Sequence, residues 1–168
     1  MSDPIHTSNA PAPVGAYPHA RRVGNLLFLS GVGPRTPGSN ETPGNVYDAD
    51  RRLVAYDFDA QCRQVFANVR AVLEASGARR EDLVDVTVYI TDKQRDLAVY
   101  NRLYTEHFTT VQPCRTTLGI TALPTPIAIE LKCVAALEGA RPLTGSDSSA
   151  MTGVAAARPA PFPAGAVR

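Results

Sequence analysis

The chain has 168 residues, 44% hydrophobic and 20% charged, with a formal net charge of +1. That is enough to build one ordinary core, with no basic excess of the kind that marks a nucleic-acid surface. Three cysteines, Cys62, Cys114 and Cys133, show neither C-x-x-C nor metal-ligand spacing. A disulfide framework is therefore not expected, and a reducing cytoplasm fits.

Residues 1–13 are polar and proline-rich and are read as a flexible N-terminal segment, without the apolar stretch of a signal peptide. Arg21–Val23 and Leu26–Ser30 flank Gly24-Asn25, which predicts a hairpin with a type II′ turn. A loop dense in Gly, Pro, Ser and Asn follows from Gly31 to Asn45. Between Asp57 and Ala75, Phe58, Cys62, Val65, Phe66, Val69, Val72 and Leu73 recur at three- and four-residue steps, which predicts an amphipathic helix. Asp57 is its expected N-cap and Gly77 its stop. Leu83–Ile90 reads as a strand with Val84, Val86, Val88 and Ile90 on one face. A second helix is expected over Asp96–Phe108, with Leu97, Tyr100, Tyr104 and Phe108 inward. Strands over Arg115–Thr121 and Ile127–Ala135 follow, around a Pro124–Pro126 turn. Residues 139–168, rich in Ala, Pro, Gly and Ser, are read as a disordered tail, leaving one domain over 14–138.

Two helices cover one face of a sheet. The other face carries Ala128, Glu130, Lys132 and Val134 from one strand and Leu83, Asp85, Thr87 and Tyr89 from another. That mixture is too apolar for a routine solvated surface and points to self-association.

No phosphate-binding glycine motif, serine nucleophile elbow or paired metal-ligand histidines occur. His6 falls in the N-terminal segment, and His107 reads as a surface residue or C-terminal cap. Cys114 precedes Arg115, yet no general-base histidine accompanies it, so a small partly buried residue is the favoured reading. Arg115 reads equally as an exposed strand-start charge or as a bidentate carboxylate anchor, with Thr116 and Thr117 beside it. Glu130 is either a surface residue paired with Lys132 or a carboxylate that deprotonates a water from a partly apolar cleft.

Several segments, in order, resemble the reactive-intermediate deaminase family, the YjgF superfamily. Gly15-Ala16-Tyr17-Pro18-His19-Ala20 is similar to its opening motif, and Val23 through Gly31 to its first hairpin. Gln61, Val65, Asn68 and Val69 match its helix, and Val84 through Asp92 its next strand and turn. Asn101, Tyr104 and Phe108 follow, then Pro113-Cys114-Arg115-Thr116-Thr117 and Ile129-Glu130. The resemblance covers Val14 to Leu137.

The resemblance implies an α+β fold like trimeric chorismate mutase: a mixed β-sheet with two helices on one face, and a homotrimeric barrel with clefts between subunits. It implies cofactor-free, metal-free hydrolysis of enamine or imine carboxylic acids with release of ammonia. Arg115 would hold the substrate carboxylate and Glu130 would position the water. Tyr17, Ser30, Gly31, Asn101, His19 and Thr117 would line the pocket. Thr117 stands where many members carry cysteine. Tyr17-Pro18-His19, Arg115-Thr116-Thr117, Leu123-Pro124-Thr125-Pro126 and Ile129-Glu130-Leu131-Lys132 look closest to 2-aminomuconate deaminases. A two-carboxylate substrate of that kind needs a second cation, from His19, Arg35 or a neighbouring subunit. The alternatives are a general 2-iminopropanoate/2-iminobutanoate deaminase or a non-catalytic metabolite-binding or chaperone-like trimer. Endoribonuclease activity, also attributed to the family, finds little support in the charge balance. The resemblance places Arg115 and Glu130 in one cleft with Tyr17 close by.

Overall fold

A computed structural model describes residues 3–39 and 41–137. In chain order its elements are β1 (Asp3–Ile5), β2 (Ala20–Val23), β3 (Leu26–Leu29), β4 (Val46–Tyr47), β5 (Leu53–Ala55), α1 (Phe58–Ala75), β6 (Leu83–Ile90), α2 (Lys93–Phe108), β7 (Cys114–Gly119) and β8 (Ile129–Ala136). The main sheet runs β1-β2-β3-β8-β6-β7, and β4-β5 form a separate two-stranded ribbon. The pair β6-β7 is parallel and the other pairs of the main sheet are antiparallel, so the sheet is mixed and the fold α+β.

The helix signals act where the sequence places them. Asp57 accepts a hydrogen bond from Ala60 N at 3.1 Å, capping α1, and Gly77 ends it with φ of 72°. The second helix starts three residues early, at Lys93, because Asp92 caps it by accepting from Arg95 N. Gly24 turns the first hairpin with φ of 63°. Asn25 is not among the residues with positive φ, as a type II′ turn requires.

The core lies between the helices and one sheet face. Phe58, Cys62, Val65, Val69, Val72 and Leu73 from α1 meet Leu27, Leu29, Val86, Val88, Ile90, Ile129, Leu131 and Ala135. Each large apolar side chain so buried contributes about 1.5–3 kcal/mol.

Four expectations are corrected. Residues 3–5 are not part of a flexible segment: they pair with β2, and Ala10 is buried further along. Val84 does not share the face of Val86. Leu83 pairs with Ala135 and Asp85 with Val134, so Val84 is the extra residue of a bulge and is exposed, while Leu83 turns inward. The strands on either side of the Pro124–Pro126 turn are not partners, because β6, the most apolar of the three, lies between them. Cys114 is exposed rather than partly buried. The expected tail at 139–168 lies outside the described residues.

Candidate functional site

The expected site residues form two clusters on opposite sides of the sheet. The register fixes this. Val86, buried under the helices, pairs with both Arg115 and Cys133, so Arg115 belongs to the helix face. Tyr89 pairs with both Glu130 and Leu118, so Glu130 belongs to the open face.

The first cluster surrounds Glu130. Ile129 and Leu131 turn into the core, which leaves the carboxylate between them on the other side. Val32 and Leu131 exchange two backbone hydrogen bonds, of 2.8 and 3.0 Å, which lays the Gly31–Gly33 loop beside β8. A Cβ at Gly31 would come within 2.7 Å of the Glu130 carboxyl carbon, so a side chain there would have to displace that carboxylate. Tyr17, Gly31, Gly33, Arg35, Thr125 and Ile127 line a cleft with Glu130. Burial pushes the Glu130 carboxyl above its ordinary range.

Ser30 and His19 support this cluster from behind. Ser30 Oγ donates to Pro18 O at 2.6 Å, and Ser30 N donates to His19 O at 2.9 Å, which holds the Tyr17–Pro18 segment against the end of β3. His19 is buried, and both ring nitrogens are engaged. Nδ1 accepts from Thr7 N at 3.3 Å, and Nε2 donates to Pro11 O at 3.0 Å. The imidazole thus fastens the N-terminal segment, and this internal use takes the place of the second-cation role considered for it. Arg35 remains beside the cleft, with Nη2 donating to Ala12 O at 2.6 Å.

The second cluster is built on β7, an edge strand, and α2. Arg115 Nη1 donates to Asn101 Oδ1 at 3.1 Å, and its Cζ lies 4.7 Å from the Tyr104 ring centroid and 5.7 Å from that of Tyr100. An amide and two aromatic faces therefore pre-orient an exposed guanidinium. Thr117, two residues along, points the same way, and its Oγ1 is buried without a hydrogen-bond partner among the described residues, as is the Tyr100 hydroxyl. Tyr104 is the contributor that periodicity hid: its helical spacing marks it as core, yet its ring is also the shelf for Arg115.

The structure thus brings Tyr17, Gly31 and Glu130 together with Ser30 and His19 behind them, and separately joins Arg115, Asn101 and Thr117. Thr125 enters the cleft from a loop, where no periodic signal exists to announce it, and Ile127, expected as the first residue of a strand, lies just before β8 and lines the cleft. Chemically, the first cluster offers a carboxylate of raised proton affinity and the second a rigid anion clamp. Among the described residues no group of three or more His, Cys, Asp or Glu side chains is placed to hold a metal ion, and no helix is long and apolar enough to cross a membrane.

Comparison with known proteins gives concordant results. The family model described as Endoribonuclease L-PSP matches residues 7–137. The 2-iminobutanoate/2-iminopropanoate deaminase of Escherichia coli is 35% identical over 139 residues, covering 80% of this chain and 98% of that protein. The crystal structure of RidA from an Antarctic Psychrobacter superposes with a TM-score of 0.70 at 31% identity, covering 80% of this chain and 99% of the other. Escherichia coli TdcF with bound serine superposes with a TM-score of 0.68 at 28% identity, covering 80% and 98%.

Proposed function

The chain belongs to the Endoribonuclease L-PSP family, the group whose members carry the names YjgF, RutC and RidA, and on that premise we propose that it hydrolyses imine and enamine carboxylic acids to the keto acid and ammonia. The observation that carries the reading is the Glu130 carboxylate, half-buried against Gly31 in a cleft, with its proton affinity raised by burial. The similarity to a 2-iminobutanoate/2-iminopropanoate deaminase supports the same chemistry. So does the serine bound in TdcF, which presents the carboxylate and nitrogen that an imino acid would.

The steps balance. Protonation of the enamine at carbon, or of the imine at nitrogen, by solvent gives the same iminium. Ionised Glu130 takes a proton from water as the water oxygen bonds to the iminium carbon and the C=N π electrons return to nitrogen. Glu130 passes that proton to the carbinolamine nitrogen. It then takes the hydroxyl proton as the C=O bond forms and the C–N bond breaks, and hands it to the departing ammonia, so that ammonium leaves and Glu130 is ionised again. Imines are intrinsically reactive, so positioning and one acid–base group suffice.

In this reading the carboxylate anchor comes from another copy of the chain. Arg115 stands on the far side of its own sheet from Glu130, so the two complete one site only across a subunit boundary. The exposed Val23, Leu26, Phe28 and Leu118 give the subunits an apolar surface to bury, and a closed trimer is the assembly we assign.

Arg35 favours a finer reading. It lies in the same cleft as Glu130. With Arg115 from a neighbour, a substrate would meet two cations, which suits a dicarboxylate enamine such as 2-aminomuconate. The test is ammonia release from freshly generated 2-iminopropanoate, 2-iminobutanoate and 2-aminomuconate. Turnover of any of them, lost in Glu130→Gln, is expected. No turnover of all three contradicts the deaminase reading, and turnover of only the monocarboxylates contradicts the finer one.

A further inference from the structure

Two buried amides on α1 hold the two walls of the Glu130 cleft, although neither lines it. Gln61 is 0% and Asn68 1% exposed. Seven residues apart, they lie two turns along one helix face. Asn68 Nδ2 donates to Gly33 O and to Arg35 O, both at 2.8 Å, and Asn68 Oδ1 accepts from Gln64 Nε2 at 2.9 Å. Gln61 reaches the opposite wall. Its Oε1 accepts from Ala128 N at 2.8 Å, and its Nε2 donates to Asn45 Oδ1 at 2.8 Å. Asn45 in turn donates to Pro126 O at 2.7 Å. The stretch held in this way, 126–128, carries Ile127 of the cleft wall and ends two residues before Glu130, just before β8 begins.

Helix packing does not ask for amides here. Val65 and Val72 fill neighbouring positions on the same buried stripe. A buried amide is unfavourable unless its donors and acceptors are used. These are used largely on the backbone of the two wall segments, which among the described residues have no strand partner at those atoms.

We propose that Gln61 and Asn68 are positioning residues, forming a clamp that fixes the spacing of the Gly31–Arg35 loop and the Pro126–Ala128 segment and so keeps the Glu130 carboxylate shielded from water. The inference rests on Glu130 as the catalytic group. Without the clamp the walls move apart, water reaches the carboxylate, and its proton affinity falls toward that of a free glutamate.

The experiment follows the side-chain carboxyl signal of Glu130 by carbon NMR across pH in the full-length protein, assigned by its loss in Glu130→Gln. Wild type is compared with Asn68→Ala, Asn68→Asp and Gln61→Leu. Arg70→Ala is the control on the exposed side of α1. Asn68→Asp keeps the shape and the acceptor for Gln64 but removes both donations, so it stands in if Asn68→Ala does not fold. Gln61→Leu tests the other wall. The clamp variants are expected to titrate at lower pH than wild type and to lose about ten- to hundredfold in kcat/KM, mainly in kcat. Arg70→Ala should do neither. An unchanged Glu130 titration, with activity falling only as thermal stability falls, overturns the proposal. The NMR titration needs no turnover, so its result is separable from failure of the deaminase reading.

Discussion

Glu130 and Arg115 occupy opposite faces of one sheet, three residue pairs apart along β6, where Tyr89 marks the side of the first and Val86 the side of the second. In the proposed roles, one subunit therefore presents a base without its anion clamp at one place, and a clamp without its base at another. If these are halves of one site, the active unit is an assembly, and each half should fail in its own way when altered.

Gly31 should be intolerant of a side chain for a local reason. A Cβ there would press on the Glu130 carboxyl group itself. Gly31→Ala is expected to displace the carboxylate and lower kcat by about a hundredfold, the cost of an ångström-scale misplacement, while circular dichroism and assembly stay as in wild type. Activity within twofold of wild type would remove the contact from the account.

Glu130 should make the protein less stable while making it active. Its folded-state proton affinity is raised by burial, so the folded state binds more protons than the unfolded one between the two ionisations. Stability on this account falls as pH rises through that window, is unaffected below about pH 4.3, and the full cost is present above the folded value. Glu130→Gln is thus expected to melt higher than wild type at pH 7.5 and equally at pH 3.5, and to be inactive. In wild type, kcat/KM should rise with pH through the same ionisation. An equal melting temperature at both pH values would contradict this.

Arg115 should govern binding more than chemistry. Removing a charge-assisted hydrogen-bond donor costs about 1.5–3 kcal/mol, so Arg115→Ala should raise KM about 10- to 150-fold. Arg115→Lys should recover little, because an ammonium can neither grip a carboxylate with a fork nor stack on Tyr104 as a plane. Steady-state kinetics with a monocarboxylate imine decides it; full recovery by lysine would mean that charge alone is needed.

Much of this molecule is legible in its sequence where the determinants are local. The α1 stripe, the Asp57 cap and the Gly24 turn each follow from a few adjacent residues, and each is present. What depends on a distant strand is not legible in that way. Val84 alternates correctly with Val86 on paper, but the register against β8 makes it a bulge. Adjacency in sequence made 114–119 and 129–136 look like partners, whereas burial of the valine-rich β6 puts it between them. The identities of Glu130, Arg115 and Tyr17 come through family resemblance, but their division between two sheet faces comes only with the register. Gln61 and Asn68 did leave a mark: two amides at positions that an apolar helix face would give to valine or leucine.

The central claim, that each site takes Glu130 from one subunit and Arg115 from another, is tested most directly by mixing two variants impaired in kcat/KM and assaying them at substrate concentrations well below the wild-type KM. Arg115→Ala and Glu130→Gln carry different affinity tags, are co-expressed, and the hybrid trimers are isolated through both tags. Random pairing in equal amounts leaves about a quarter of the sites with both native residues, so deaminase activity near a quarter of wild type is predicted for the unfractionated mixture, and more for the hybrids. Activity no greater than the sum of the two separate variants would contradict a site shared between subunits.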